Sequence, residues 1–332
     1  MSGFASLKSF EDSLNNATAL SPSETIENPA IAHMRAAINA PSKEEVVRMI
    51  QKEIIDFNML NKIELTTEGV TRDLADVPRH FLFPEVLAAV NANIPTALVG
   101  PAGAGKSTMI EQIADALELK YFLQNAVTGT HEVAGYLDAN GKYNTTTFRT
   151  AFEHGGVFFI DEVDTSDPGA LKWLNTALAN GHAMFPDKPD PVNRHPKFRA
   201  VIGANTFGSG ADRIYVGANQ LDASTLDRFV FFNFEYDEKL ETALAGNIDW
   251  AKRVQELRAA ALIEKARIVI SPRASIHGAK LLGIGWKQEI VEERVIWKGI
   301  DPELKKRILD RAAGIKTEAE LKAAAENKKK RK

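Results

Sequence analysis

The chain has 332 residues, a formal net charge of −3, 44% hydrophobic residues and 26% charged residues, as expected of a globular protein with two or three domains. It contains no cysteine, which excludes disulfides and cysteine metal sites and fits a reducing cytoplasm. The slightly acidic balance argues against a broad nucleic-acid-binding face, although it leaves room for a local basic loop or pore. No stretch reaches the roughly 18 apolar residues of a membrane span, and the first residues lack the apolar core of a signal peptide.

The first 77 residues are predicted to form a small helical region. Residues 1–41 are rich in Ser, Asn and Pro, so we expect them to be loosely structured. Ser42 and Glu45 have the spacing of a capping box, and apolar residues then recur at helical spacing as far as Phe57. This pattern predicts one helix with a buried face.

Residues 78–236 alternate between short apolar runs and helical patterns. The runs are TALVG from Thr96, KYFLQNAV, GVFFIDE, FRAVIGAN and FVFFNFEY. They are mostly continuous rather than alternating, which is typical of strands covered on both faces. After the third run, Asp167 is suited to cap a helix, Pro168 to begin it and Gly181 to end it. The alternation predicts an α/β domain with a parallel, doubly wound sheet.

Beyond Tyr236 the strand patterns fade and a second, helical domain is predicted over residues 237–316. Its helical stretches are EKLETAL, WAKRVQELRAAALIEKA, SPRASIHGAKLLGIG and DPELKKRILDRAAG. The tail 317–332 ends in ENKKKRK, which has no apolar residue, and we interpret it as a charged, solvated tail.

A glycine-rich loop follows the first apolar run and precedes an amphipathic helix. The spacing from Gly100 to Gly105, Lys106 and Ser107 is that of a P-loop, whereas a Rossmann motif would need a third glycine at Thr108. Glycines let backbone N–H groups converge on a phosphate, and the helix adds its positive N-terminus. The predicted ATP-binding residues are Gly100, Pro101, Ala102, Gly103, Ala104, Gly105, Lys106, Ser107 and Thr108.

Two adjacent acids end the third apolar run. Ligands bind at the carboxyl ends of strands in α/β sheets, and carboxylates placed there are costly unless they are used. We interpret Asp161, together with the hydroxyl of Ser107, as a holder of Mg²⁺, and Glu162 as the base that polarises the attacking water. Asp164, two residues further on, is interpreted as a solvated or capping acid.

Other polar candidates follow the next two runs. Asn205 is predicted to orient the water beside Glu162. Arg228, with Arg213 as the alternative, is predicted to act on the γ-phosphate of a neighbouring subunit as an arginine finger. Arg273, in the first turn of a predicted helix capped by Ser271, is expected to contact phosphate from the helical domain.

The motifs GPAGAGKST, VFFIDEVD, IGANT, LDRF and SPRA, in this order, resemble an AAA+ ATPase of the MoxR-like and dynein-related branch. Within that branch the segment from His195 to Phe229 is similar to CobS-type ATPase subunits of cobaltochelatase and to CobS-like ATPases of phages. The resemblance covers residues 78–280. It departs from the family pattern at Ala218, where many relatives have arginine, and this places more weight on Arg228 and Arg213.

The resemblance implies an AAA+ P-loop core with a five-stranded sheet in the order 5-1-4-3-2, a helical lid, and a homo-oligomeric ring, usually a hexamer, with ATP between subunits. It also implies that EVAGYLDANGKYNTTTF and MFPDKPDPVNRHPKF are hairpins at the working surface of the ring. Relatives commonly act with a von Willebrand A-domain protein that carries a Mg²⁺ site. The expected location is the cytoplasm, or the host cytoplasm for a phage protein.

Four functions remain open on sequence grounds. The first is a ring ATPase that uses ATP and Mg²⁺ to remodel or activate a protein partner. The second is the motor of a metal chelatase, for which partners would supply the metal chemistry, and the third is a nucleic-acid translocase. The fourth is a regulatory ring in which nucleotide only sets assembly, and Glu162 argues against it.

Overall fold

A computed structural model of the chain describes residues 64–67, 70–73, 77–208, 210–211 and 214–314. The chain divides into two compact units, Met1–Arg79 and His80–Lys332. None of the helices in the described ranges is long and apolar enough to cross a membrane.

The first unit contains an antiparallel hairpin in its described part, formed by β1 (Glu64–Thr67) and β2 (Val70–Asp73). This strand pair was not predicted, because the residue pattern of the region indicates only helical character. The helix predicted from Ser42 to Phe57 lies outside the described residues, as does the charged tail 317–332.

The second unit contains a central sheet, two small hairpins and a series of helices. Its strands are β3 (Thr96–Val99), β4 (Tyr121–Gln124), β5 (Tyr136–Leu137), β6 (Tyr143–Asn144), β7 (Gly156–Ile160), β8 (His182–Ala183), β9 (Val192–Asn193), β10 (Phe198–Ala204) and β11 (Val230–Asn233). Its described helices are α1 (Phe83–Asn91), α2 (Lys106–Ala116), α3 (His131–Ala134), α4 (Thr147–His154), α5 (Pro168–Asn180), α6 (Ala223–Leu226), α7 (Glu238–Ala245), α8 (Ile248–Ile263), α9 (Pro272–Gly283), α10 (Gln288–Val295) and α11 (302–314).

Five parallel strands form the central sheet, in the order β11-β3-β10-β7-β4. Numbered along the chain, this is the order 5-1-4-3-2, so the predicted topology is confirmed. The inner strands β3 and β7 are buried along their whole length, whereas the edge strands β4 and β11 are partly exposed. The continuous apolar runs in the sequence thus reflect burial of the inner strands between two layers of helices.

Helix α5 shows how local chemistry sets the bounds of an element. The side chain of Asp167 accepts a hydrogen bond from Ala170 N at 2.8 Å, and Pro168 occupies the first helical position. Gly181 ends the helix in the left-handed conformation with φ 68°. The predicted start and end of this helix are therefore confirmed.

An aromatic cluster forms the core between α4 and the sheet. The ring of Phe148 lies 5.2 Å from the rings of Phe152 and Phe158 and 6.0 Å from that of Phe198, measured between centroids. All four side chains are buried. Each such burial stabilises the fold by about 1.5–3 kcal/mol, so this cluster fixes α4 on the strands that lead to the site.

The helical part of the unit contains α7 to α11. Four of these helices, α7, α8, α9 and α11, correspond to the predicted stretches, whereas α10 was not predicted. A separate core, which includes Trp250, Val254, Leu257, Val291 and Ile308, holds these helices together. Ser271 occupies the N-cap position of α9 as predicted, but its side chain makes no capping hydrogen bond.

The α/β part contains two small hairpins, and both were predicted. Strand β5 pairs with β6 between α3 and α4, and β8 pairs with β9 between α5 and β10. The buried guanidinium of Arg149, on α4, connects them. It donates to Asp187 in the second hairpin at 2.8 Å, and it lies 5.3 Å from the ring of Tyr143 in the first. Arg149 also pairs with Glu153 at 2.7 Å.

Replacement of Arg149 with alanine should lower the free energy of unfolding by about 2–3 kcal/mol, because Asp187 and Glu153 lose a shared, charged hydrogen-bond donor. Urea denaturation at neutral pH measures this loss.

Lys188 and Arg149 lower the pKa of Glu153 to about 2. The stability due to Glu153 is therefore complete above the unfolded pKa of about 4.3 and is lost as the pH falls toward 2. This acid-dependent loss should be smaller in Arg149→Ala.

Arg307→Ala is the matched control. Its side chain is 59% exposed, and its Nε lies 3.8 Å from Glu264 Oε2, so its removal should cost less than about 0.5 kcal/mol. Equal losses in the two variants would show that Arg149 does not hold the hairpins.

Candidate active site

Three polar segments begin where three neighbouring strands end. Gly100 follows β3, Asp161 follows β7, and Asn205 follows β10. The strands run in parallel, so these ends lie at one edge of the sheet, and Gly100 N donates to Ala204 O at 3.1 Å. Ligands of open α/β sheets bind at this edge.

The glycine-rich loop 100–105 connects β3 to α2. Gly103 and Gly105 have φ values of 77° and 100°, a region of backbone conformation that favours glycine. The loop thereby turns directly into the first residue of α2, Lys106. A glycine-rich loop that leads into a helix N-terminus is a typical anion site, and the strand, loop and helix context predicted for a P-loop is confirmed.

Lys106 occupies the centre of the site. Its ammonium is buried and donates to Gly100 O at 2.7 Å, to Pro101 O at 3.3 Å and to Asn205 Oδ1 at 2.9 Å. Burial lowers the pKa of Lys106, and the charge of Asp161 opposes this shift. Lys106 thus places a cation beside the loop, and its described hydrogen-bond partners are neutral oxygen atoms. A phosphate oxygen is a stronger partner for such a cation than any of them.

Ser107 and Asp161 form a compact pair of oxygen donors. The Ser107 hydroxyl donates to Asp161 Oδ2 at 2.7 Å. A hydroxyl and a carboxylate are hard ligands, and Mg²⁺ is usually held by one or two such groups together with substrate phosphates. The pair therefore fits the predicted role in holding Mg²⁺.

Glu162 is exposed beside this pair, and its backbone is unusual. Its φ of 55° and ψ of 40° place a residue other than glycine in the left-handed region. Its backbone N–H donates to Asp161 Oδ1 at 3.0 Å, and its carbonyl accepts from Thr165 N at 2.9 Å. Such backbone conformations cost about 1–3 kcal/mol and concentrate at functional sites. Here the strained turn places the Glu162 side chain at the solvent-facing end of β7.

Asp164 is buried, with 1% of its surface exposed, so the interpretation of this residue as a solvated acid is wrong. Its Oδ2 accepts hydrogen bonds from Asn205 N at 3.0 Å, from Thr206 N at 2.9 Å and from Thr206 Oγ1 at 2.9 Å. Its backbone oxygen accepts from Asn219 N at 2.6 Å. Asp164 therefore holds the segment that carries Asn205. No local pattern indicates this role, because the partners lie some forty residues or more away.

Asn205 contacts the lysine of the site. Its Oδ1 accepts from Lys106 Nζ, and its backbone N–H is fixed by Asp164. The predicted role of Asn205 in orienting water beside Glu162 stays a prediction.

The three candidate arginines have different surroundings. A Cβ atom added to Gly103 would lie 3.5 Å from Arg273 Nε and 2.9 Å from Ser271 Oγ, so the start of α9 packs against the loop. Arg228 is half-buried and donates to Ser224 O within its own turn of chain. Arg213 lies outside the described residues. The structure thus brings Arg273 close to the phosphate loop, and the trans-acting role of Arg228 or Arg213 stays a prediction.

Two tyrosines that no sequence motif indicates hold the loop from outside. The backbone N–H of Ala102 donates to the hydroxyl of Tyr215 at 2.9 Å, and the hydroxyl of Tyr236 donates to Ala102 O at 3.0 Å. Both tyrosines are more than a hundred residues away along the chain. No short-range pattern could have identified them.

Replacement of Asp164 with alanine should destabilise the protein by about 2–4 kcal/mol, because two backbone N–H groups and one hydroxyl lose their acceptor. Asp167→Ala, three residues further on, removes one partly buried capping bond and should cost about 1 kcal/mol. Urea denaturation of the two variants measures the difference. Equal costs would contradict the role of Asp164 as the holder of the Asn205 segment.

Part of the chain, including most of this site, is similar to a known protein family. Residues 95–229 match the family model described as the AAA domain of the dynein-related subfamily. The matched span contains Gly100 to Thr108, the two adjacent acids, Asn205 and Arg228, whereas Arg273 lies beyond it.

Among solved structures, the RuvB Holliday junction branch migration motor of Thermotoga maritima is 18% identical, with 64% of this chain and 66% of that chain covered and a TM-score of 0.39. NtrX from Brucella abortus is 17% identical, with 68% and 52% covered and a TM-score of 0.40. The chain thus spans just under two thirds of the RuvB chain and about half of the NtrX chain. Residues 95–229 thus resemble an AAA domain of the dynein-related subfamily, and the chain has the fold of an AAA+ P-loop ATPase.

Proposed function

We propose that this protein is a ring-forming AAA+ ATPase that hydrolyses ATP to remodel or activate a protein partner. The observation that carries the proposal is the meeting of Lys106, the Ser107–Asp161 pair, Glu162 and Asn205 at one edge of the sheet. An AAA domain implies nucleotide hydrolysis, and these residues are the types that phosphoryl transfer requires.

In the proposed reaction the phosphates of ATP lie in the loop 100–105 and against the N-terminus of α2. Lys106 exchanges its neutral partners for phosphate oxygens. Ser107 and Asp161 would hold Mg²⁺, which would neutralise charge that develops on the phosphates. The Glu162 carboxylate accepts a proton from the water that attacks the γ-phosphorus, and ADP leaves as the bond to its β-phosphate oxygen breaks.

Two arginines complete the proposed site from different directions. Arg273, at the start of α9, lies close enough to the loop to contact phosphate from the same chain. The described hydrogen bond of Arg228 goes to the Ser224 carbonyl and not to the phosphate loop. We therefore assign Arg228 to the nucleotide site of a neighbouring subunit in the ring. Such an arginine stabilises the charge of the transition state.

The surface of the hairpins favours a protein as the partner. Three apolar side chains on or beside the hairpin strands are about half exposed, namely Tyr136, Leu137 and Met184. Grouped exposed apolar side chains are typical of protein-binding surfaces, whereas nucleic acid is bound mainly through basic groups. A von Willebrand A-domain protein is one partner of this kind.

A chelatase motor is the second candidate. Among the described residues there is no group of three or more His, Asp or Glu side chains that could hold a metal ion. In such a complex this chain would therefore supply ATP hydrolysis, and its partners would supply the metal site.

Glu162→Gln should bind ATP with nearly unchanged affinity but hydrolyse it at least about a hundredfold more slowly, because the amide cannot accept the proton. Lys106→Ala should lose measurable ATP binding. Calorimetry gives the affinity, and phosphate release gives the turnover. Glu289→Gln, an exposed glutamate on α10, is the matched control and should behave like the wild type. Near-normal turnover in Glu162→Gln would contradict its role as the base.

The Glu162→Gln protein, held in ATP, should retain its partner in a pull-down, and the captured protein should stimulate the ATPase of the wild type. Leu137→Ser combined with Met184→Ser should abolish this stimulation and keep the basal rate, because both side chains lie outside the nucleotide site. Leu262→Ser, a 79% exposed leucine of α8, is the matched control and should retain stimulation. Stimulation by DNA but by no protein would favour the nucleic-acid motor instead.

A further inference from the structure

A continuous set of side chains connects the phosphate loop with the first turn of α9. We call this set, formed by Tyr236, Arg258, Glu241 and Ser275, the lid bridge. We propose that the lid bridge positions Arg273 against the nucleotide, so that the affinity for ATP depends on residues that do not touch it. The inference rests on the proposed binding of ATP at the loop 100–105.

The first link of the lid bridge joins the loop to the segment that leaves the sheet. Tyr236 lies between β11 and α7, and its hydroxyl donates to Ala102 O at 3.0 Å. Burial raises the pKa of Tyr236, so the hydroxyl remains a proton donor throughout the neutral range. The hydroxyl of Tyr215 accepts from the N–H of the same alanine. The loop is therefore held at Ala102 from two sides.

The second link is the guanidinium of Arg258 on α8. It lies 4.5 Å from the centroid of the Tyr236 ring, a distance typical of cation–π contact. It donates to both carboxylate oxygens of Glu241, at 2.8 and 2.5 Å, and its Nε donates to Ile270 O at 2.6 Å. Glu241 is buried, so this pair is rigid in both partners. One side chain thus contacts the linker, α7 and the residue before the N-cap of α9.

The third link reaches the turn that carries Arg273. Ser275, which is buried, donates to Glu241 Oε1, and Trp250 Nε1 donates to Ala274 O at 3.2 Å. Together with the bond from Arg258 to Ile270, these contacts hold the backbone on both sides of Arg273. The side chain of Arg273 therefore starts from a fixed position beside Gly103.

The lid bridge does more than hold the helices to one another. The pair Arg258–Glu241 alone would serve that purpose, but the Tyr236 hydroxyl extends the contact to a peptide of the phosphate loop. A shift of the loop on binding phosphate would change this contact, and Arg258 would carry the change to α9. Coupling of this kind is established by double-mutant cycles rather than by proximity.

The experiment is a double-mutant cycle between Tyr236→Phe and Arg273→Ala. Both changes are made in the Glu162→Gln protein, where ATP is hydrolysed slowly, and the Kd of Mg·ATP is measured by calorimetry. Tyr236→Phe removes one hydroxyl and keeps the ring on Arg258, so it should weaken binding about three- to tenfold. In the Arg273→Ala background the same change should weaken binding less than about twofold. Equal factors in both backgrounds would overturn the proposal.

Two further variants keep the proposal testable. Ser275→Ala, at the other end of the lid bridge, should also weaken binding, and its effect should likewise vanish with Arg273→Ala. Tyr143→Phe is the matched control: its hydroxyl donates to Ala134 O at 2.9 Å in the first hairpin, and its removal should change the Kd less than about twofold. An effect of Tyr143→Phe equal to that of Tyr236→Phe would count against the lid bridge.

The proposed function and the lid bridge fail in different ways. If the wild type binds ATP and Lys106→Ala does not, ATP binding at the loop stands, and an additive cycle removes the lid bridge alone. If the wild type does not bind ATP, both proposals are wrong.

Discussion

The parallel pairing of β10 with β3 on one side and β7 on the other is the constraint on which the site depends. Ala204 pairs with Val99, and Ile202 pairs with Ile160, so the three strands end at one edge of the sheet. A shift of register would separate the lysine, the acids and the amide that follow these strands. The buried aromatic cluster on α4 and the capping of α5 matter for function because they keep this register.

Charged groups are buried at several points of the molecule, and each is matched to a particular kind of partner. Asp164 accepts from two backbone N–H groups and a hydroxyl, and Glu241 is paired with Arg258. Lys106 differs from both, because its closest hydrogen-bond partners are neutral oxygens. A buried ammonium without a charged hydrogen-bond partner is costly for the fold, but it is well suited to bind phosphate.

The sequence predicted those features that depend on short segments. The five strands, the phosphate loop and the ends of α5 are encoded by apolar runs, glycine spacing and the caps Asp167 and Gly181, all of which act within a few residues. Asp164, Tyr215 and Tyr236 escaped prediction because their partners lie 41, 113 and 134 residues away. The hairpin β1–β2 was missed because a helical pattern dominated its neighbourhood.

The order of elements also relates the hairpins to the site. The first hairpin is followed by α4 and β7, which leads directly to Asp161 and Glu162, and the second is followed by β10, which leads directly to Asn205. Each hairpin is thus connected to a residue of the site through an inner strand of the sheet. Arg149 joins the two hairpins, so a displacement at either strand end would move both of them together. Such an arrangement would suit the proposed motor, in which the nucleotide site and the partner surface lie at different places, because strands of a packed sheet deform little.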